Sequence, residues 1–146
     1  MTFPSPAELL PQEPPMVLID EVSTWRAATV VCRSRVRSGQ PYVVSGRASA
    51  LVCIEYMAQA AGCNAGLAAR ERGDRIAVGL LLGTRELELA TAKLSVGDEL
   101  EIEARHVFGD EKLGSFECKV TRDGEVIARA ILNVFAADRE RMAELP

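Results

Sequence analysis

The sequence has few of the residues that bind metal ions or form disulfide bonds. Its 146 residues include one histidine, His106, and four cysteines, none of which belongs to a C-x-x-C pair. A free cysteine in an apolar segment packs as a small hydrophobic group, and three of the four lie in such segments. We therefore expect reduced, buried thiols, no metal site and no cofactor. The four cysteines are Cys32, Cys53, Cys63 and Cys118.

Blocks of basic residues and an export signal are also missing from the sequence. The formal net charge is −4, whereas binding to a nucleic-acid backbone requires many cations that act together, so we expect no nucleic-acid partner. Residues 1–6 have neither the basic segment nor the apolar core of a signal peptide, and we expect a cytoplasmic protein. Arg33, Arg35 and Arg37 form either a basic patch for an acidic carrier protein or a solvated strand face, and we favour the solvated face.

The composition is that of one globular domain. Hydrophobic residues make up 48% of the chain and charged residues 26%, which at this length is sufficient for one hydrophobic core. No internal repeat is visible in the sequence. We therefore predict a single domain that spans residues 1–146.

The longest apolar segment, residues 48–69, predicts a buried helix and no membrane span. Its sole formal charge is Glu55, and a carboxylate near the centre of a membrane helix opposes insertion by about 2.5–3.5 kcal/mol. Alanine, leucine and methionine favour a helix over about residues 50–71, and Gly73 is a typical residue for its end.

Alternating apolar and polar residues predict strands on both sides of this helix. The connections at residues 109–112 and 122–124 contain glycine and aspartate, which suit hairpins, so the last three strands should form an antiparallel meander. The predicted fold class is α+β: a hot-dog domain in which a curved antiparallel sheet wraps around the long central helix. The predicted strands are 29–37, 76–89, 99–108, 113–121 and 125–135.

Three segments carry a resemblance to a known family. Residues 10–20, LPQEPPMVLID, are similar to the pattern L-P-H-R-x-P-F/M-L-L-x-D, and residues 50–62, ALVCIEYMAQAAG, to G-V-L-x-x-E-x-x-A-Q-x-x-G. Residues 96–102, VGDELEI, are similar to the strand entry P-G-D-x-L-x-I/V. The chain thus resembles the 3-hydroxyacyl-(acyl carrier protein) dehydratases of the FabA/FabZ type, and in particular the dehydratase-like proteins of aryl polyene clusters, over nearly its whole length.

The resemblance implies a catalytic carboxylate without its usual histidine. In this family a histidine of the first motif and a glutamate of the helix transfer the protons, and these positions are Gln12 and Glu55 here. An amide donates and accepts hydrogen bonds but does not titrate near neutral pH, so Gln12 cannot act as a base. Gln59 lies one helical turn after Glu55 and shares its face, where it can orient the carboxylate.

The resemblance also implies which residues contact the substrate. Ala50 stands where the family has a glycine whose backbone N–H polarises the thioester carbonyl. The predicted substrate-binding residues are Gln59, Ala50, Leu51, Pro15 and Met16. His106 lies on the apolar side of its strand, and we expect a hydrogen-bonded core or interface imidazole there in preference to a catalytic residue.

Three functions fit the sequence, and each binds an acyl thioester carried by acyl carrier protein or coenzyme A. The first is a 3-hydroxyacyl-(acyl carrier protein) dehydratase of fatty acid or polyene and polyketide biosynthesis with a degenerate active site. The second is a non-catalytic or half-catalytic partner subunit of a histidine-bearing dehydratase. The third is an acyl-thioester hydrolase that uses Glu55. A homodimer is the expected assembly, and a heterodimer with a paralogous hot-dog dehydratase is the alternative.

Overall fold

A computed structural model describes residues 2–110 and 112–137 of the chain. Within these residues, six strands form one antiparallel sheet in the order β1-β2-β6-β7-β8-β4, and β3 and β5 pair separately. The elements are α1 (Pro6–Leu9), β1 (Glu21–Arg26), β2 (Thr29–Arg35), β3 (Arg47–Ser49), a 3-10 turn (Ala50–Val52), α2 (Cys53–Arg72), β4 (Val78–Leu89), β5 (Lys93–Ser95), β6 (Glu99–Gly109), β7 (Leu113–Arg122) and β8 (Glu125–Ala137).

The helix predicted over about residues 50–71 is a 3-10 turn over Ala50–Val52 followed directly by α2. The Ser49 side chain accepts a hydrogen bond from the Leu51 N–H at 3.2 Å and so starts the 3-10 turn that leads into the helix. At the other end Gly73 adopts a left-handed conformation with a φ of 76°. Its N–H bonds the carbonyls of Ala69 and Arg70, which is the usual way for a glycine to close a helix.

The curved sheet wraps around α2 and buries its inner face against the helix. On β6, Leu100, Ile102 and Ala104 are buried, whereas Glu99 and Glu101 are exposed. This alternation was the basis for the strand prediction, and the pairing of β6 with β7 and of β7 with β8 confirms the predicted meander. All four cysteines are buried free thiols, as expected. Burial raises the pKa of the Cys53 thiol to about 11, so it stays protonated at neutral pH.

Two polar contacts show that α2 and β6 run in the same direction. The Tyr56 hydroxyl interacts with Ser34, which lies opposite Leu100 in the pairing of β2 with β6. Eight residues further along the helix, the Asn64 Nδ2 donates to the carbonyl of Ala104 at 3.0 Å. Positions along the helix can therefore be related to positions along the strand.

Close packing on two glycines places the N-terminal segment against α2. A Cβ atom at Gly66 would lie 2.7 Å from the carbonyl oxygen of Leu9, and one at Gly62 would lie 2.7 Å from the Cδ2 of Leu10. The backbone of α1 can approach the helix this closely only because both positions lack a side chain. The chain that follows Leu10 consequently starts on the surface of α2.

Several details differ from the sequence prediction. Strand β1 and the short β3–β5 pair were not predicted, and β2 ends at Arg35 instead of Arg37. The Val36 N–H still bonds the carbonyl of Asp98, the residue opposite it, at 2.9 Å. The Val36 carbonyl, however, accepts from the Gly97 N–H at 2.8 Å instead of from Asp98, so the ladder ends there. Glu111 of the predicted 109–112 connection lies outside the described residues. Residues 1 and 138–146 lie outside them too, so the single domain over 1–146 stays a prediction.

The arginines of β2 alternate with carboxylates and form no basic patch. Arg33 lies opposite Glu101, and Arg35 opposite Glu99, in the β2–β6 register. Arg37 forms a 2.8 Å ion pair with Asp20. These contacts favour the solvated strand face over a carrier-protein patch. Among the helices described, none combines the length and the apolar character needed to cross a membrane.

Replacement of Gly66 tests the close approach of α1. In Gly66→Ala the added Cβ meets the Leu9 backbone, and we expect the free energy of unfolding to fall by about 1–2 kcal/mol, because overpacking outweighs the better helix propensity of alanine. Urea unfolding measures the change. Gly83→Ala is the control, since a Cβ there meets nothing within 4 Å. A Gly66→Ala variant more stable than the wild-type protein would contradict the close packing.

Candidate active site

A cavity of about 620 Å³ runs along one face of α2. This volume lies within the range of small-molecule sites. From Glu55 to Arg72 the helix rises about 25 Å at 1.5 Å per residue, so the cavity is elongated. Strands β4, β7 and β8 and residues 10–12 form the other walls. Between Glu55 and Arg72, most of the helix residues that border the cavity are small. They include Ala58, Ala61, Gly62, Ala65, Ala68 and Ala69.

Glu55 lies at the start of this cavity, in the first turn of α2. Its Oε1 accepts a hydrogen bond from the Gln59 Nε2 at 2.8 Å. The start of a helix favours a negative charge, because the unpaired N–H groups and the helix dipole point towards it. The carboxylate is therefore held in one orientation at the cavity wall.

Gln59 connects Glu55 to the N-terminal segment. The residue is 1% exposed, and its Nε2 donates to the carbonyl of Met16 at 2.6 Å as well as to Glu55. Its Oε1 accepts from the N–H of Leu18 at 2.7 Å. One amide thus holds α2 against the segment that contains Gln12, and the predicted orienting role of Gln59 has a direct geometric basis.

Gln12 borders the same cavity as Glu55. Its Oε1 is buried and has no hydrogen-bond partner within the described residues. An unpaired buried polar atom is unfavourable, and a ligand with a hydrogen-bonding group relieves this cost. The two positions that the resemblance assigns to the catalytic pair therefore border one and the same cavity.

The other predicted contact residues do not border this cavity. The Ala50 N–H donates to the carbonyl of Ala92 at 2.9 Å and so is not free for a thioester carbonyl. Leu51 is 57% exposed, and Pro15 is exposed. Met16 takes part through its carbonyl, which bonds Gln59. Gln59 does not border the cavity either, and substrate contact at all five positions stays a prediction.

His106 was predicted as a hydrogen-bonded core or interface imidazole, and an interface partner stays a prediction. Within the described residues its Nε2 is buried without a hydrogen-bond partner, and the residue borders the cavity. A Cβ at Gly114 would lie 2.9 Å from Nε2, so the missing side chain at Gly114 makes room for the ring. The small residues of α2 were also missed as a cavity wall, although their spacing of three and four residues was visible in the sequence.

The described residues offer no obvious site for a metal ion. Within them, no group of three or more His, Cys, Asp and Glu side chains is arranged to bind one. The polar groups at the cavity include the carboxylate of Glu55, the amide of Gln12 and the imidazole of His106, together with the side chains of Asn64, Arg72, Asp74, Arg75, Asp110 and Lys112. This set can hydrogen-bond an oxygen-rich ligand and can donate or accept a proton at Glu55.

Removal of the Gln59 amide should loosen the N-terminal segment. In Gln59→Leu the Leu18 N–H and the Met16 carbonyl lose their partner, and we expect the free energy of unfolding to fall by about 2–4 kcal/mol, since each buried unpaired group costs about 1–3 kcal/mol. Chemical denaturation and amide exchange at Leu18 measure the effect. Glu55→Gln is the control, because it keeps an acceptor for Gln59 and should change stability by less than about 1 kcal/mol. Equal stability of Gln59→Leu and the wild-type protein would refute this role.

Comparison with solved structures supports the fold and the family. A chain of the ApeI:P dehydratase heterocomplex from Xenorhabdus doucetiae superimposes with a TM-score of 0.91 at 28% identity, over 97% of both chains. A hypothetical thioesterase with coenzyme A from Streptococcus pneumoniae (TM-score 0.62, 17% identity, 81% and 85% coverage) shares the fold. An uncharacterised protein from Pyrococcus horikoshii also shares the fold, with a TM-score of 0.65 at 14% identity over 90% of this chain and 93% of that chain. The predicted hot-dog fold is thereby confirmed.

Comparison with protein families covers nearly the whole chain. No curated protein matches the sequence significantly. Residues 4–145 match the model of the ApeP-like family, which is described as ApeP dehydratase. The matched range includes Gln12, Glu55 and the whole described cavity. The chain therefore belongs to the ApeP-like dehydratase family.

Proposed function

We propose that this chain binds a 3-hydroxyacyl thioester in the cavity between Gln12 and Glu55. We further propose that it takes part in dehydration of that thioester as one subunit of a heterodimer with a paralogous, histidine-bearing hot-dog dehydratase. The observation that carries the proposal is the presence of an oriented carboxylate and an unpaired amide on the walls of one elongated cavity. The thioester is carried by acyl carrier protein or coenzyme A, in the cytoplasm.

Elimination of water needs two proton transfers at adjacent carbons. A base removes a proton from C2 of the acyl group, the C2=C3 double bond forms, and the C3–O bond breaks as an acid protonates the departing hydroxyl to give water. Glu55 suits the acid role, because Gln59 holds one carboxyl oxygen and fixes the direction of the other. Gln12 suits a hydrogen bond to the 3-hydroxyl or the thioester carbonyl, which would orient the substrate.

The missing base supports a heterodimer. Gln12 does not titrate, and the chain has one histidine, which lies far along the cavity from Glu55, as described below. A homodimer would combine two identical chains that both lack the motif histidine, whereas a paralogous subunit that retains it supplies the base. The similar chain of the ApeI:P complex is part of a dehydratase heterocomplex, which is consistent with this assembly.

An edge strand supports sheet-to-sheet association of the two subunits. Strand β4 is at one end of the six-stranded sheet, and one of its sides is unpaired within the described residues. Leu81 and Leu82 on this strand are 44% and 61% exposed. An unpaired edge with exposed apolar side chains is suited to pairing with another chain.

A mass-spectrometric assay separates the three functions. The substrate is a 3-hydroxyacyl thioester on carrier protein or coenzyme A, offered to the chain alone and to the chain with a histidine-bearing dehydratase. Loss of water by the mixture supports the proposal. Release of free thiol would show a hydrolase instead, and no contribution of the chain to either reaction would contradict a catalytic role.

Replacement of Glu55 tests the acid. In Glu55→Gln we expect the dehydration that depends on this chain to fall by about 10²–10⁴-fold, because a positioned acid contributes that much to proton transfer. Turnover of the mixed complex measures the loss, with heterodimer formation as the check on the fold. The control is Glu71→Gln, which removes an exposed carboxylate from the same helix. Full turnover by Glu55→Gln would show that the site is assigned wrongly.

Replacement of Gln12 tests the missing base. Gln12→His puts a titratable group at the cavity that Glu55 also borders. We expect the chain alone to gain dehydration activity of at least about tenfold, since general bases contribute about 10²–10⁴-fold. Initial rates across pH 6 to 9 measure the gain, which should follow the titration of the new imidazole. Gln40→His is the control, because Gln40 does not border the cavity. An equal gain in the control would count against the assignment.

A further inference from the structure

The proposed function leaves one polar group of the cavity unexplained. Within the described residues, two buried side-chain polar atoms have no hydrogen-bond partner, the Oε1 of Gln12 and the Nε2 of His106. Both residues border the same cavity. Gln12 faces the reacting part of the proposed substrate, and His106 has no role in that chemistry.

His106 lies far along the cavity from Glu55. The contacts of Tyr56 and Asn64 place α2 and β6 in the same direction, with Asn64 beside Ala104. At 1.5 Å per helical residue and about 3.3 Å per strand residue, the backbone of His106 is roughly 15–20 Å further along the axis than Glu55. An imidazole at that distance cannot replace the base near Glu55, but it can contact a distant part of a long acyl chain.

The surroundings of His106 are mostly apolar and leave Nε2 available. The Phe116 ring lies 5.1 Å from the imidazole at 34°, and Gly114 has no side chain that could cover the nitrogen. The carboxylate of Asp110, which also borders the cavity, accepts from the N–H groups of Lys112 and Leu113, both at 2.9 Å. The protein therefore presents an imidazole nitrogen to the cavity without a partner for it.

We propose that His106 determines which acyl chains the cavity accepts, by a hydrogen bond from or to an oxygen-bearing group far from the thioester. This rests on the proposed function, because it assumes that the thioester end lies at Gln12 and Glu55. The favoured class is a long acyl thioester whose distal end carries a hydroxyl or carbonyl group. A saturated, unsubstituted chain leaves Nε2 unpaired, and sites with a buried polar group discriminate against ligands that do not pair it.

A binding comparison tests this role without any need for turnover. Two non-hydrolysable thioether analogues of acyl-coenzyme A are used, of equal chain length, one ending in a methyl group and one in a hydroxyl group. Calorimetric titration of the full chain gives Kd for each. We expect the hydroxyl analogue to bind at least about tenfold more tightly once the chain is long enough to reach His106, and to show no advantage in short chains.

Variants at the imidazole separate specificity from a structural effect. In His106→Leu the ratio of the two Kd values, methyl analogue over hydroxyl analogue, should fall to about one, because only the hydroxyl analogue binds more weakly. His106→Gln should restore part of this ratio. Gly114→Ala places a methyl group 2.9 Å from Nε2 and should also reduce the preference. Val107→Ala is the control, because Val107 is an exposed neighbour on the same strand that does not border the cavity.

The outcomes distinguish this inference from the proposed function. Equal affinity of the wild-type chain for both long analogues, or an equal loss for both in His106→Leu and Gly114→Ala, would overturn the role of His106 while the proposed function stands. Absence of binding for every analogue, short or long, both on coenzyme A and when the same acyl groups are attached to carrier protein, would overturn the proposed function together with the inference.

Discussion

The hydrogen bonds of Gln59 are the interaction on which the site depends. This one amide bonds Glu55, Met16 and Leu18, and it is 1% exposed. Water cannot replace these bonds at so buried a position, so the amide sets both the orientation of the carboxylate and the distance between α2 and the N-terminal segment. The glycines of α2 act with it, because they let the same segment come close enough for the bonds to form.

Much of the fold follows from local sequence patterns. The composition and the cap of α2 predict a helix from the sequence alone. The alternation along β6, β7 and β8 predicts strands in the same way, because burial of one face imposes a period on the sequence. Strand β1 carries a weaker signal, since a bulge between Val22 and Thr24 interrupts its pairing and thus its alternation. Strands β3 and β5 contain three residues each, too few to define a period.

The site was predictable where it depends on residues close together in sequence. Glu55 and Gln59 share a helix face, and Gln12 lies in a motif. Whether the Ala50 N–H is free depends on Ala92, which lies far along the chain. The Ala92 carbonyl accepts a hydrogen bond from that N–H. For His106, alternation gave the correct side of the strand, but that side borders both the core and the cavity. Whether its nitrogen has a partner depends on Gly114 of the next strand, which a periodic pattern does not reveal.

The chain retains the structural support of a dehydratase site without its proton acceptor. A carboxylate fixed by Gln59 is of use when a proton moves to or from a defined point, and the unpaired oxygen of Gln12 is unfavourable unless a ligand meets it. Both features suit a site that binds an oxygen-containing ligand. Elimination of water requires two proton transfers, and in the proposed function Glu55 provides the side chain for one of them. The chemistry itself therefore requires a second group, and a partner subunit is the simplest source of it.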